Sequence, residues 1–162
     1  MKHPMRILQE LKFAAIVAMT LSMGACANGN LGVSAMVGAA TPGSPQDFVV
    51  NVGDRVFFAN DRTDLTPQAI AALEKQAQWL RAHPRYTFKI EGHADERGTR
   101  EYNIALGARR AQNVRSFLIS RGIDASRMWT ISYGKERPVA VCNDESCWSQ
   151  NRRAVTVLNA SS

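Results

Sequence analysis

The residues of this chain best suited to chemistry lie between positions 91 and 111, where the sequence reads EGHADERGTREYNIALGARRA. A helix that advances about 100° per residue gathers five apolar side chains on one arc, namely Leu106, Ala111, Val114, Phe117 and Leu118. Arg110 falls inside this arc, and so does Asn103 one turn earlier. Because an unpaired charge on an apolar face costs free energy, the pattern predicts a negative partner for Arg110, either a carboxylate of the protein or one of a ligand.

Asp95, in the polar loop before this helix, is the candidate partner. From the residues alone, two interpretations carry similar weight. Asp95 and Arg110 form an internal salt bridge, or they bind a charged ligand near the helix N-terminus, whose dipole and free N–H groups favour anions. The two interpretations coexist if a pair in the empty site opens around the ligand.

Several blocks of this sequence resemble the OmpA-like peptidoglycan-binding domain family. The blocks are GHADERG from residue 92, EYN from 101 and LGARRA from 106, followed by SYGKERP from 132 and NRRA from 151. They occur in the family's order and spacing, and the resemblance runs from about Asp54 to Leu158. Separate blocks in register make this a more specific match than any single short motif.

The resemblance implies that Asp95 and Arg110 bind meso-diaminopimelate in the stem peptide of peptidoglycan. This ligand presents an ammonium and a carboxylate on one carbon atom. A carboxylate accepts the ammonium, and an arginine fork binds the ligand carboxylate through two hydrogen bonds. With the resemblance, ligand binding is favoured over a purely internal salt bridge.

Arg97 and Asn103 match positions that line the same site in relatives. Asn103 is expected to be a buried, orienting amide, and a local hydrogen bond at the helix start is the alternative. Arg97 is expected either to line the site or to remain a solvated loop charge. His93 is expected to pack at a strand end rather than to contact ligand.

The first strand departs from the family pattern, which often reads Phe-Asp-Phe-Asp. Here Phe58 and Asp61 align with that pattern, while Ala59 and Asn60 replace the two residues between them. Backbone contacts at these positions are expected to survive, but stacking by the missing aromatic side chain is not.

An arginine pair precedes the last predicted strand. The alternation of a strand predicts that one of Arg152 and Arg153 faces the site and the other faces solvent. We take Arg152 as the residue that assists ligand binding.

The residues suggest two other classes of function. Asp95, Glu96 and Glu101 suggest carboxylate catalysis on glycan, but no Ser-His or Cys-His pairing is evident, so we expect a protein that is not an enzyme. The two Arg-Arg pairs suggest nucleic-acid binding, but an export signal argues against it, and no nucleic-acid partner is expected.

The remaining sequence predicts the elements that position these residues. Short β-runs are predicted at 55–58, 86–91, 128–133 and 154–158, and helices from Pro67 to Pro84 and from 100 to 121. Tyr86, Phe88 and Ile90 should point inward, and the first helix should bury its own apolar face, made of Ile70, Leu73, Ala77 and Leu80. The order β-α-β-α-β-β predicts an α/β, or α+β, two-layer sandwich with a mixed sheet and its helices on one face.

The chain has 162 residues and a net charge of +6, which suits a polyanionic neighbour without deciding which one. Residues 1–25 begin with basic residues and continue with a short apolar run from Phe13 to Met23, typical of a signal peptide. The run ends in SMGAC, which is similar to a bacterial lipobox. The resemblance implies that cleavage makes Cys26 the N-terminal residue and that Cys26 is acylated. Ala27 follows, whereas an aspartate at this position is the usual signal for inner-membrane retention in such lipoproteins, so the resemblance implies the outer membrane.

Residues 26–46 are rich in Gly, Ala, Ser, Asn and Pro and are predicted to form a flexible tether, leaving 47–162 as the binding domain. Cys142 and Cys147 are most simply a disulfide in an oxidising compartment. The alternative is a metal site, but zinc needs about four ligands and only His93 is well placed to join the cysteines, so no metal is expected.

Together these features predict a lipoprotein of the outer membrane, facing the periplasm, that holds peptidoglycan without cofactors other than its covalent lipid. The resemblance also implies contact with the Tol system, notably the periplasmic propeller protein TolB, and a part in envelope integrity and in outer-membrane constriction at cell division. The alternatives are a module that mainly binds other proteins, or a hydrolase of peptidoglycan.

Overall fold

A computed structural model describes residues 40–159, which lie in one compact unit. The predicted signal segment, Cys26 and most of the predicted tether lie outside the described residues. The last residues assigned to the tether belong to the compact unit, because the Tyr86 hydroxyl donates a 2.8 Å hydrogen bond to the Gly43 carbonyl. The folded part of the chain therefore begins before residue 47.

Four strands form one mixed sheet. They are β1 (Arg55–Phe57), β2 (Thr87–His93), β3 (Met128–Gly134) and β4 (Arg153–Asn159). Their spatial order is β1-β4-β2-β3, with β2 and β3 parallel and with β4 antiparallel to both β1 and β2. The last strand of the chain thus lies at the centre of the sheet and brings the segment that precedes it next to the ends of β1 and β2.

Helices and helical turns connect these strands. They are α1 (Pro45–Asp47), a π-helical turn (Phe48–Val52), α2 (Pro67–Ala82), α3 (Arg100–Ser120), a 3-10 turn (Ala125–Arg127) and α4 (Glu145–Asn151). The core contains side chains of α2, α3 and the inner face of the sheet, which confirms the predicted two-layer sandwich. The sequence predicted α2 and α3 but none of α1, the π-helical turn, the 3-10 turn and α4.

Helix α2 begins as predicted, with the Thr66 hydroxyl capping the Ala69 N–H at 3.1 Å. Its inner face differs in one residue from the prediction. Leu73, Ala77 and Leu80 are fully buried, but Ile70 is 37% exposed. The buried face runs instead through Ala69, about 100° away around the helix.

Helix α3 lies unusually close to strand β2. A Cβ atom added at Gly92 would stand 1.9 Å from the Gly107 carbonyl oxygen, so neither backbone leaves room for a side chain there. The prediction that Phe88 and Ile90 point inward is confirmed, since both are fully buried beneath the helices. The close approach places the next turn of α3, which carries Arg110, directly over the end of β2.

Candidate functional site

Arg110 is completely buried, as its place on the apolar arc predicts. Its guanidinium donates hydrogen bonds to three backbone carbonyl oxygens: Nε to Arg62 at 2.9 Å, Nη1 to His93 at 2.8 Å and Nη2 to Ala59 at 3.2 Å. Within the described residues no protein carboxylate bonds directly to Arg110, although the charges of Asp95 and Asp61 act on it, and a ligand carboxylate as its partner stays a prediction. Three oriented carbonyl dipoles stabilise the cation instead, because they converge where the segment after β1 meets the end of β2.

The burial of Arg110 has an electrostatic cost that its surroundings only partly offset. Burial lowers the pKa of the guanidinium to about 10, while the nearby Asp95 carboxylate acts in the opposite direction. Arg110 therefore remains protonated at neutral pH. The Phe58 ring, whose centroid lies 5.1 Å from the Arg110 Cζ, covers the same cation from the core side.

Asp95 lies at the start of the loop after β2 and is 5% exposed. Its partners are Arg97, whose Nη2 lies 2.6 Å from Oδ2, and Arg152, whose Nη1 lies 3.3 Å from Oδ2. The Asp95–Arg110 salt bridge weighed from the sequence is not present. Burial tends to raise the pKa of Asp95, but the hydrogen bonds from Arg97 and Arg152 outweigh it and leave the pKa below its usual value.

A cleft of about 320 Å³ opens beside these residues. Its lining side chains are Asn60, Asp61, Asp95, Arg97, Tyr102, Asn103 and Leu106, with Gly98 completing the wall. Four predicted site residues therefore line the cleft, and three, Phe58, Arg110 and Arg152, lie behind its wall. The other lining residues, Asn60, Gly98, Tyr102 and Leu106, were not predicted to belong to the site, although Tyr102 belongs to the EYN block that carried the resemblance.

The segment after β1 forms one side of the cleft. Asp61 adopts a left-handed backbone conformation with φ of 54°, and its carboxylate accepts a hydrogen bond from the Tyr102 hydroxyl. That bond raises the pKa of Tyr102. Asn60 accepts a 2.7 Å hydrogen bond from Arg97 Nη2. The backbone contact expected to survive at position 59 is present as the Ala59 carbonyl bonded to Arg110.

Asn103 fits both interpretations drawn from the sequence. Its amide nitrogen donates to the Arg97 carbonyl at 2.7 Å and to the Thr99 carbonyl at 3.1 Å, which are local bonds at the start of α3. It is 1% exposed and also lines the cleft. Asn103 thus fixes the conformation of the loop that carries Asp95 and Arg97.

The sequence and fold of the chain are similar to those of known proteins. The sequence profile of the OmpA family matches residues 57 to 154, well over half of the chain. The chain belongs to the OmpA family. The resemblance drawn from the sequence blocks is confirmed by this match.

Two relatives of this OmpA-family chain share one name. The peptidoglycan-associated lipoprotein of Rhizobium meliloti is 62% identical over 148 residues, which cover 88% of this chain and 84% of the relative. The peptidoglycan-associated lipoprotein of Pseudomonas aeruginosa is 38% identical over 164 residues, which cover 92% and 97% of the two chains.

Solved structures give the same result for the fold. The crystal structure of the peptidoglycan-associated lipoprotein from Burkholderia pseudomallei matches with a TM-score of 0.67 and 41% identity, covering 72% of this chain and all of that one. The C-terminal domain of Helicobacter pylori MotB matches with a TM-score of 0.61 at 21% identity, covering 65% and 84% of the two chains. The second likeness concerns the fold alone.

Of the two arginines at the start of β4, one agrees with the alternation prediction and the other does not. Arg152 turns toward the cleft, where it contacts Asp95, and its Nε donates to the Phe58 carbonyl at 3.1 Å. The prediction that the other arginine faces solvent is wrong, because Arg153 is only 4% exposed. Its guanidinium donates to the Arg137 carbonyl at 3.2 Å, because the segment before α4 folds over this part of the sheet.

His93 ends strand β2, is 2% exposed and lies beside Arg153 and Tyr133. Burial, with the nearby Arg153 and Arg137 charges, lowers the pKa of His93 to about 4 despite the opposing Glu91 carboxylate. Its Nε2 lies 3.7 Å from Glu91 Oε2, but a neutral imidazole makes no ion pair there at pH 7. His93 thus packs at the strand end and does not line the cleft.

Three further features concern the disulfide, metal ions and membranes. Cys142 and Cys147 form a disulfide immediately before and within α4. Across residues 40–159, no group of three or more His, Cys, Asp or Glu side chains is arranged to hold a metal ion. Within the same range, no helix has the length and apolar character required to cross a membrane.

Proposed function

We propose that this OmpA-family chain is an outer-membrane lipoprotein that binds the diaminopimelate of the peptidoglycan stem peptide without covalent attachment. The observation that carries the proposal is the cleft, in which the carboxylates of Asp61 and Asp95 stand beside Arg97 and in front of the buried Arg110. A carbon atom that bears both an ammonium and a carboxylate is complementary to this arrangement. The domain then holds the cell wall and the lipid on Cys26 holds the membrane.

Asp95 is the expected partner of the ligand ammonium, and that role requires an exchange of cations. In the structure, Asp95 Oδ1 accepts hydrogen bonds from the Arg97 backbone N–H at 3.1 Å and from Arg97 Nε at 3.2 Å, while Oδ2 accepts from Arg97 Nη2 and Arg152 Nη1. A carboxylate has about four acceptor sites, so these bonds fill it. The Arg97 side chain is 38% exposed, and we expect the ligand ammonium to replace its bonds to Asp95 while the Arg97 guanidinium remains in the cleft.

The ligand carboxylate is expected to meet Arg97 and Arg110. Three of the five N–H groups of the Arg110 guanidinium are occupied by carbonyl oxygens. We expect the other two to bind a carboxylate that enters past Leu106 and Asn103, which line the cleft on the same helix, once the buried Arg110 becomes accessible. Because Arg110 is already desolvated and fixed, the loss of side-chain entropy on binding is small.

The relatives and the N-terminal sequence support the location and the partners that we propose for the chain. Relatives at 62% and 38% identity are named peptidoglycan-associated lipoprotein, and Cys26 occupies the position that a lipobox requires. Several acyl chains on one cysteine give stable anchoring. We extend to this chain a role in the Tol system, through TolB, in envelope integrity and in outer-membrane constriction at division. The role is that of a tether and not of an enzyme.

The test is co-sedimentation of the purified protein with diaminopimelate-type sacculi, beside Asp95→Asn and Arg97→Ala variants. Each loss of a charge-assisted contact is expected to weaken binding about 10- to 100-fold. Arg109→Ala is the matched control, because Arg109 is the exposed neighbour of Arg110 on the same helix. Circular dichroism establishes that all variants fold.

Sacculi whose stem peptides carry lysine provide a ligand control. Lysine keeps the ammonium but lacks the second carboxylate, so binding is expected to fall by a similar factor. Equal binding of the wild type and the folded variants would assign Asp95 and Arg97 a structural role. No binding by the wild type would leave a domain that serves protein partners instead.

A further inference from the structure

The short helix α4 lies behind the cleft and touches the loop that carries Arg97. Trp148, on this helix, donates a 3.0 Å hydrogen bond from Nε1 to Glu96 Oε1. The Arg97 guanidinium lies over the indole ring, with Cζ 4.1 Å from the ring centroid. Trp148 is therefore in contact with two consecutive residues of the loop, one through its ring edge and one through its ring face.

A second residue of α4 holds the other cation of the site. Glu145 accepts hydrogen bonds from both Nη atoms of Arg152, of which the Nη1 bond measures 3.3 Å. Arg152 in turn reaches Asp95. Both guanidinium groups that contact Asp95 are thus themselves held by side chains of α4.

A helix of seven residues is too short to be stable by itself. Two features fix its first turn: the disulfide between Cys142 and Cys147, and the Asp144 carboxylate, which caps the Ser146 N–H at 2.8 Å. Its last residue, Asn151, accepts hydrogen bonds from the N–H groups of Val139 and Ala140. Helix α4 is therefore a fixed platform even though it is short.

We propose that Trp148 is a positioning residue for ligand binding, acting through Arg97. The inference rests on the proposed function. The ring contact uses none of the acceptor sites of Asp95, so it can persist when the ligand ammonium takes those sites. Arg97 then stays in the cleft, over Trp148 and beside Asn60, with its N–H groups turned to the ligand carboxylate. Without the ring, Asp95 is the strongest remaining partner of Arg97, and the ligand must compete for it.

The experiment measures binding of a soluble stem tripeptide ending in meso-diaminopimelate to the full-length protein in mild detergent, by titration calorimetry. Trp148→Ala is expected to weaken binding about three- to tenfold, and Trp148→Phe, which keeps a ring, to recover most of the loss. Trp129→Ala is the matched control, because Trp129 is 47% exposed on the open face of the sheet, away from the cleft.

A double-mutant cycle separates positioning from a general structural effect. If Trp148 acts through Arg97, the Arg97→Ala, Trp148→Ala double variant binds no more weakly than Arg97→Ala alone. Losses that multiply, an unchanged affinity for Trp148→Ala, or equal losses for the alanine and phenylalanine variants would each overturn the proposal. A wild type that does not bind the tripeptide would overturn the proposed function and this inference with it, whereas wild-type binding with an unaffected Trp148→Ala would overturn the inference alone.

Discussion

The Arg110 guanidinium donates a 2.8 Å hydrogen bond to the carbonyl oxygen of His93, the last residue of strand β2. This bond joins the third turn of α3 to the end of the sheet, at the point where the loop carrying Asp95 begins. A residue expected to bind ligand is thus also a structural tie. Its two roles must be separated when its variants are interpreted.

We expect Arg110→Ala to destabilise the fold by about 3 kcal/mol, because it leaves buried carbonyl groups without donors. Arg110→Lys should recover part of this loss, since the ammonium keeps the charge but lacks the planar fork. Urea unfolding followed by circular dichroism measures both, with the exposed Arg109→Ala expected within about 0.5 kcal/mol of wild type. A fully stable Arg110→Ala variant would mean that these carbonyls find water instead.

The buried His93 predicts a pH dependence of stability. Its pKa in the folded protein is lowered to about 4 from an ordinary value of 6.5 by burial and by Arg153 and Arg137, with Glu91 opposing. Between these two pH values the unfolded state binds more protons, so stability is fully present above pH 6.5 and is lost as the pH falls toward 4.

The expected loss from this residue is about 2–3 kcal/mol. It is measured as the difference between wild type and His93→Gln in urea unfolding at pH 7 and pH 4.5, which cancels the titration of the carboxylates. The two proteins should differ in their pH slope. Parallel slopes would show that His93 titrates equally in both states.

The contact between α3 and β2 leaves no room for a side chain at Gly107. A Cβ atom there would lie 2.4 Å from Ser132 Oγ and 2.8 Å from the Gly92 carbonyl oxygen. Gly107→Ala should therefore destabilise the fold by about 1–3 kcal/mol, even though alanine favours helix. Thermal unfolding measures the effect, and Ala108→Ser, at the next and exposed position, is the control. A more stable Gly107→Ala variant would contradict the close approach of the two backbones.

The disulfide between Cys142 and Cys147 is expected to stabilise the fold. Closing a loop of about six residues stabilises a protein by roughly 2 kcal/mol. Replacing Cys142 and Cys147 together by serine should lower stability by that amount under oxidising conditions, and a reductant should lower the wild type alone to the same level. The measurement is guanidinium unfolding with and without dithiothreitol. An effect of reductant on the double variant would point to another cause.

The sequence alone decided the features that depend on local periodicity. Strict alternation placed Tyr86, just before β2, and Phe88 and Ile90 within it on the inner face, and helical spacing placed Arg110 on the buried side of α3; all four are buried. The exposed Ile70 marks the limit of this reasoning. An apolar residue at the margin of an amphipathic arc has no periodic signal to say whether the neighbouring element covers it.

Only the tertiary structure decided which groups meet. Arg110 donates hydrogen bonds to carbonyl oxygens of the segment after β1 and of the end of β2. Asp95 forms salt bridges with Arg97 and Arg152 instead of with Arg110. Helix α4, too short to show a period, brings Trp148 into contact with Arg97, which lines the cleft. Apart from the pair of Asp95 and Arg97, which are two residues apart, these pairings join residues distant in sequence. They follow from the central place of β4 in the sheet and from loop conformations, whereas the spacing of residue types along the chain encodes only the faces of individual elements.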